Sequence, residues 1–252
     1  MTTVVNPLTK RQIKINGAVY KKLVRDGVIK SGDTVGAPTA TKKKRVVWKP
    51  IPQPTESGFT TVIDHRGAIV RYDPHFIPNA KKYFDQLAAL FDQSKHEKRL
   101  FGDGDAKRRT LQVADPDARL YNYSTTAAEA THHWEEFPVL VALKKLVEEA
   151  TGESFNFALV NFYTPDANLG WHSDDEKDMV DEAIVASLSF GGERPFDLEE
   201  KFAEPMRKRI VLLSGSLLTM EKKCQKIFRH RVPPKKIDKL RINITFRKMH
   251  KK

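Results

Sequence analysis

The stretch LRINITFRK, residues 240–248, alternates strictly. In an extended strand Ile242, Ile244 and Phe246 fall on one face, and Arg241, Asn243, Thr245 and Arg247 on the other, because successive side chains point in opposite directions. This restricts the fold. One face of the strand must meet apolar side chains, and the two arginines on the other must be given anionic partners, for which a guanidinium fork is well shaped when the partner is a carboxylate. A second run, FNFALVNFY (155–163), places Asn161 and Tyr163 together on one face.

Further strand-like runs lie between these two: AIVASLSF (183–190), RIVLL (209–213) and SLLTM (216–220). They are preceded by helical patterns. Residues 78–92 put Tyr83, Phe84, Leu87, Leu90 and Phe91 on one stripe, and a second helix is predicted from Pro138, at its first turn, to Ala150, with Gly152 just beyond its end. Helices followed by many short strands predict an α+β chain, with helices packed on a β-sandwich or jelly roll. This globular pattern begins near Gly58. Ahead of it, 31–57 is rich in Gly, Pro, Thr and Ser and is expected to be a linker. Residues 1–30 form a small basic segment with turn signals at Asn6-Pro7 and Asn16-Gly17 and a short helix-like stretch bearing Val19, Leu23 and Val24.

With 252 residues and 40% hydrophobic content the chain can bury one sizeable core and a small appendage. Cys224 is the single cysteine, which excludes an internal disulfide and fits a reducing compartment. No apolar run approaches the roughly 18 residues of a membrane span, and the N-terminus lacks an apolar signal stretch, so an intracellular protein is expected. Charge is segregated: residues 1–50 carry net +10, residues 51–200 net −12 and residues 201–252 net +14. Clustered positive charge favours a polyanion through counterion release, or else serves solubility. The run Lys42-Lys43-Lys44-Arg45 reads as a nuclear-import signal, a phosphate patch or plain charged linker.

The segment GWHSDDE (170–176) supplies an imidazole and a carboxylate one residue apart, His172 and Asp174. Alone, it is either a polar loop or two legs of a metal site. Downstream, His230 and His250 are the candidates for a third ligand. Two His and one carboxylate with other positions open is the facial triad of non-haem Fe(II) oxygenases. Metal triad, paired arginines and the Asn/Tyr pair together describe a site for a small dicarboxylate that chelates iron.

The ordered set N161-F-Y, G170-W-H-S-D-D-E, S187-L-S-F-G, G215-S-L-L-T-M, H230-R-V-P and R241-I-N-I-T-F-R resembles the AlkB family of Fe(II)/2-oxoglutarate dioxygenases over roughly residues 58–248, with His230 lying 56 residues after Asp174 and Arg241 another 11 on. The resemblance implies a double-stranded β-helix, a jelly-roll variant. It implies His172, Asp174 and His230 as Fe(II) ligands. It places Arg241, with Tyr163 and Asn243, on the distal carboxylate of 2-oxoglutarate, and Arg247 and Asn161 near the end that chelates the metal, leaving a position for O2. The N-terminal N-P-x-T-x-R-x-I start is similar to a small basic module in proteins of large DNA viruses, without that module's paired cysteines.

The family resemblance also implies a substrate: alkylated nucleobases, oxidised at the N-alkyl group and released by loss of formaldehyde. Such bases must be flipped out of a duplex. The stretch L-F-G, then R-R, then D115, then Y121-N-Y-S is similar to the branch that repairs duplex DNA. There Phe101 would be the intercalating wedge, Tyr123 the stacking aromatic where that branch typically has Phe, and Glu176 the acid that reaches the damaged base; Arg108 is a further substrate contact. Phe101 and Glu176 have plainer readings, as a packed hairpin residue and a solvated loop acid. The expected function is therefore direct-reversal DNA dealkylation by a monomer acting in the nucleus or at a site of viral DNA replication. An RNA or single-strand demethylase, or a silent nucleic-acid adaptor, stands as the alternative.

Overall fold

The computed structural model of the chain describes residues 3–5, 12–14, 18–26, 48, 51–52, 54–92, 97–99, 108–119, 131–202, 205–235 and 237–252. The chain divides into two units, Met1–Val47 and Trp48–Lys252. The first holds an antiparallel pair, β1 (Thr3–Val5) and β2 (Gln12–Lys14), and the helix α1 (Ala18–Arg25). Helix α1 buries Tyr20 and Leu23 and leaves Val19 exposed, so its apolar stripe is rotated toward Tyr20 relative to the sequence reading.

The second unit runs β3 (Thr60–His65), β4 (Ala68–Asp73), α2 (Ala80–Asp92), β5 (Glu97–Arg99), β6 (Arg108–Ala114), β7 (Thr131–His132), α3 (Pro138–Thr151), β8 (Phe157–Tyr163), β9 (Leu169–His172), β10 (Val185–Gly191), β11 (Arg194–Glu200), β12 (Arg207–Leu212), β13 (Leu217–Lys222), α4 (Cys224–Ile227), β14 (Phe228–Val232) and β15 (Arg241–Arg247). Helix α3 starts with Pro138 in its first turn, where no backbone donor is needed. It stops at Gly152, whose φ of 71° lets its N–H return to Glu148 O. Among the described residues no helix is long and apolar enough to cross a membrane.

The strands form a large sheet ordered β3-β4-β13-β10-β15-β8-β6-β5, with β7 added beside β6, and a small sheet ordered β12-β11-β14-β9. Strand β15 lies inside the large sheet, hydrogen-bonded to β10 and β8, and its two faces separate as its alternation requires. Ile242, Ile244 and Phe246 join Leu87 of α2 and Leu140, Leu143 and Val147 of α3 in one core. Each is fully buried, and burial on that scale contributes about 1.5–3 kcal/mol per side chain. Arg241, Asn243, Thr245 and Arg247 instead line a cavity facing the small sheet. Beside that cavity a second core joins Phe157, Leu159, Val185 and Leu218 of the large sheet to Phe196, Leu198, Ile210 and Val232 of the small one. Helices on one face of a sheet whose other face closes against a second sheet is the expected jelly-roll arrangement.

Three of the strands differ from the sequence pattern. Strands β3 and β4 precede the first helix of this unit; β3 buries only Ile63, so its apolar signal is faint. Strand β11, RPFDLEE, is buried along nearly its whole length although it holds four charged residues. Two of its three carboxylates are paired with arginines from neighbouring strands, and Glu200 meets His65 at 2.8 Å. Asp197 meets Arg209 (2.6 Å) and Arg231 (2.9 Å), and Glu199 meets Arg207 and Arg229. A strand stabilised by partners distant in sequence leaves no local signature.

Candidate metal and cosubstrate site

His172 ends β9, Asp174 follows two residues later, and His230 sits on β14 directly across from His172 in the strand register. The pairing of β9 with β14 therefore brings together residues 58 positions apart. One ligand atom from each of His172, Asp174 and His230 lies within 4.8 Å of the others. The imidazole rings are 4.2 Å apart at 64°, and His230 Nε2 is 3.6 Å from Asp174 Oδ2.

Each ligand is held from behind. His172 Nδ1 lies 2.9 Å from Gly170 O, which it serves as donor, leaving Nε2 as the lone-pair nitrogen. Asp174 N–H donates to Gln225 Oε1 (2.9 Å), and Arg247 Nη2 donates to Asp174 Oδ1 (2.5 Å). His230 stacks on Phe196 at 5.2 Å. Burial, with His172 beside it, pushes the His230 imidazole down to about 3, so it is neutral at pH 7. Burial pushes the Asp174 carboxyl up, but the Arg247 guanidinium and the two imidazoles outweigh it and hold the group below the usual carboxylate range. A neutral His230 imidazole and an ionised Asp174 carboxylate are the protonation states a divalent metal needs. Cys224 lies close by, yet burial pushes its thiol up to about 12, so it is not a competing thiolate. His250, the other third-ligand candidate, is exposed in the C-terminal tail.

Strand β9 is the edge of the small sheet and only half buried. Trp171, next to His172, lies against Arg229 and Arg231 at 5.0 and 4.5 Å, and Trp48 lies 6.0 Å from Trp171 and 5.1 Å from Arg209. Ile51 N–H bonds Arg209 O at 2.9 Å. The end of the Pro-rich stretch thus braces the outer side of the sheet that carries the metal ligands. Gln225 and Trp48 had no recognisable signal in the sequence, because both act only through tertiary contact.

Opposite the triad the cavity wall is built by β8, β10 and β15. Arg241 pairs in register with Tyr163, and Asn243 with Asn161. Arg241 is 1% exposed; its guanidinium lies 4.8 Å from the Tyr163 ring, and Nη2 donates to Ser189 Oγ at 3.2 Å. Its Nε and Nη1 have no hydrogen-bond partner among the described residues, nor does the buried Asn161 Oδ1. Asn243 is turned into the sheet, its amide donating to Ser187 Oγ (2.9 Å) and Leu188 O (3.0 Å), and its Oδ1 accepts from Thr245 at 3.3 Å. Arg247 sits at the metal end, directed at Asp174 and, at 3.7 Å, at Glu176 Oε2. A buried guanidinium with donors to spare, across a cavity from a His/Asp/His set, suits a ligand with a carboxylate at one end and chelating oxygens at the other.

Of the residues expected at the nucleic acid, Glu176 lies at the edge of the metal segment. Arg108 begins β6 and is paired in register with Tyr163. Phe101 and Tyr123 lie outside the described residues.

The architecture and donor set define a non-haem iron oxygenase fold, and comparison with known proteins agrees. Residues 71–247 match the 2OG-Fe(II) oxygenase superfamily. The chain belongs to that superfamily, within its AlkB family, whose cofactor set is Fe(II), 2-oxoglutarate and O2. It is 39% identical over 140 residues to the alpha-ketoglutarate-dependent dioxygenase alkB homolog 3 of Rattus norvegicus, covering 52% of this chain and 47% of the relative. It is 36% identical over 121 residues to the human DNA oxidative demethylase ALKBH2 (44% of this chain, 46% of the relative), and 31% identical over 209 residues to the Arabidopsis thaliana protein of the same name (72% and 66%). The chain thus spans about half the length of the mammalian relatives it matches. A solved structure of OsALKBH1 superposes with a TM-score of 0.55 at 19% identity, covering 75% of this chain and all of that one, a likeness of fold. The superfamily match begins at residue 71, after the basic N-terminal unit.

Proposed function

We propose that this protein is an Fe(II)- and 2-oxoglutarate-dependent oxidative demethylase of alkylated nucleobases in DNA. One observation carries the reading: the same cavity joins a three-ligand His/Asp/His set to a buried arginine that has donors without partners. In this reading His172, Asp174 and His230 hold the metal. Arg241, against Tyr163, takes the distal carboxylate of 2-oxoglutarate, and Asn243 keeps that wall in shape through β10. Asn161 faces the chelating end. Arg247 fixes the Asp174 carboxylate so that one oxygen stays directed at the metal position. Bound Fe(II) supplies O2 activation coupled to decarboxylation of 2-oxoglutarate, and the hydroxylated N-methyl group leaves as formaldehyde. In the same reading Glu176 and Arg108 are the substrate contacts, with Phe101 and Tyr123 as wedge and stacking partner for a flipped base. DNA is favoured because relatives covering much of the domain are named DNA oxidative demethylases. The duplex form is favoured by the Phe101 hairpin sequence, and a nuclear site by the Lys42–Arg45 run.

The test is turnover of N1-methyladenine and N3-methylcytosine in single-stranded DNA, duplex DNA and RNA oligonucleotides, with formaldehyde and succinate measured together. Release of both from methylated DNA, duplex included, is the expected result. Turnover confined to RNA would overturn the DNA reading, and iron and 2-oxoglutarate binding without turnover on any strand would make the protein an adaptor.

The basic N-terminal unit makes a separate prediction. If residues 1–47 bind phosphates, they add affinity without base discrimination. Deleting them, while keeping the Trp48 brace, should weaken binding to methylated and unmethylated duplexes alike. It should also flatten the salt dependence by about 0.9 in log–log slope for each phosphate that the shortened protein no longer neutralises. Turnover at saturating substrate should persist. Binding titrations at several salt concentrations measure this, and identical slopes for full-length and truncated protein would identify the unit as a protein-docking module.

A further inference from the structure

Arg194, on β11, is completely buried. Its Nη1 donates to Ala167 O and its Nη2 to Pro233 O, each at 2.8 Å. Its Nε has no hydrogen-bond partner among the described residues, and no described carboxylate pairs with it. Ala167 lies in the turn that leads into β9 and His172, and Pro233 directly follows β14 and His230. The fork therefore ties together the two turns flanking the ligand-bearing strands. A neutral donor could bond two carbonyls. A full charge in such a place is costly unless an anion balances it.

The missing anion has an evident position. Ala167, whose carbonyl Arg194 holds, closes a turn four residues after Tyr163 through its N–H to Thr164 O (3.0 Å), and Gly191, three residues before Arg194, pairs in register with Arg241; Tyr163 also acts electrostatically on both arginines. Two buried guanidiniums thus share the corner around Tyr163, and neither has a described carboxylate. The other buried arginine of the cavity, Arg247, is matched by Asp174. The end of the cavity nearest the metal is locally balanced, and the far end carries surplus positive charge.

We propose that Arg194 is a specificity-determining, positioning residue of the cosubstrate site: it does not touch 2-oxoglutarate, but its charge makes the Tyr163–Arg241 corner select a ligand with a second, distal carboxylate. The inference rests on the cavity being a 2-oxoglutarate site. It extends that reading by assigning the choice of dicarboxylate to a pair of guanidiniums in place of Arg241 alone.

Pyruvate provides the control, since it offers the same 2-oxo carboxylate as 2-oxoglutarate and lacks the distal one. Binding of each to the Mn(II)-loaded full-length chain can be measured by calorimetry without turnover. A unit charge acting over about 10 Å through an effective dielectric near 20 is worth on the order of tenfold in affinity. Arg194→Met should therefore weaken 2-oxoglutarate about tenfold more than pyruvate, whose only carboxylate sits at the more distant metal end. Arg194→Lys, which keeps the charge and loses the fork, should retain most of the preference. Equal weakening of both ligands would reduce Arg194 to a structural tie, and unchanged 2-oxoglutarate binding would remove it from the site; either overturns the proposal. If the Met variant does not fold, Arg194→Gln, neutral but still able to donate one bond, makes the same comparison against Arg194→Lys. Failure of the unmodified protein to bind 2-oxoglutarate would instead refute the cosubstrate site itself.

Discussion

Replacing His172 or Asp174 by alanine is expected to abolish turnover, and the two variants should fail in distinguishable ways. Loss of a partner that merely orients a metal ligand costs about 10–100-fold. Removing a ligand outright should therefore lower turnover beyond roughly a hundredfold, with a matching loss of Mn(II) affinity in titrations. His172 stands on a half-buried edge strand, so His172→Ala should leave the metal-free protein close to its normal stability. Asp174 is different. It is 4% exposed and bonded to Arg247 at 2.5 Å, with Arg247 itself 3% exposed. Breaking a buried ion pair by deleting one partner costs about 3–5 kcal/mol, so Asp174→Ala should also lower the melting temperature of metal-free protein markedly. Full activity of either variant at ordinary iron concentration would sink the metal assignment. Equal melting temperatures for the two would contradict the role given to the Asp174–Arg247 pair.

The second large effect is on the cosubstrate. Arg241→Ala should raise the 2-oxoglutarate requirement roughly ten- to a hundredfold, because a charge-assisted pair to a carboxylate is worth about 1.5–3 kcal/mol. Nucleic-acid affinity should hardly move, since Arg241 is buried between β8 and β10. Turnover with 2-oxoglutarate in large excess should recover in part. An unchanged cosubstrate dependence would place the distal carboxylate somewhere other than the Tyr163–Arg241 corner.

What the sequence discloses about this site follows from how its parts are encoded. The alternation of β15 is a local property, and the strand sorts Ile242, Ile244 and Phe246 from Arg241, Asn243, Thr245 and Arg247 as the period of two requires. Asn161 and Tyr163 share the cavity wall for the same reason. The metal set is legible only as a candidate from spacing, and β9–β14 pairing is what brings His172 and His230 together. Gln225, Trp48 and Arg194 are not legible, because each acts through a partner far away in sequence.

The segregated charge acquires a different meaning in the fold. The basic C-terminal segment supplies Arg209, Arg231, Lys226, Arg247 and Lys248, which pair with Asp197, Asp181, Asp174 and Glu153 of the acidic middle. Much of that positive excess is thus placed against the protein's own carboxylates. The more exposed pairs Lys226–Asp181 and Lys248–Glu153 contribute little stability individually, whereas Arg209 and Arg231 on the buried Asp197 allow a strand as acidic as β11 to lie inside the small sheet. Any electrostatic attraction to a polyanion therefore falls more heavily on the N-terminal residues 1–50, with net +10, than the sum over the chain suggests.

The proposed function requires one cavity to bind metal and 2-oxoglutarate together, in a defined orientation. A crystal structure with Mn(II) and 2-oxoglutarate, using the anomalous signal of the manganese, measures it directly. The expected result is a single strong anomalous peak bounded by His172, Asp174 and His230, with the 2-oxo carboxylate of the ligand on the metal and its distal carboxylate on the Arg241 guanidinium. Manganese bound elsewhere, or a ligand whose distal carboxylate lies away from Arg241, would contradict it.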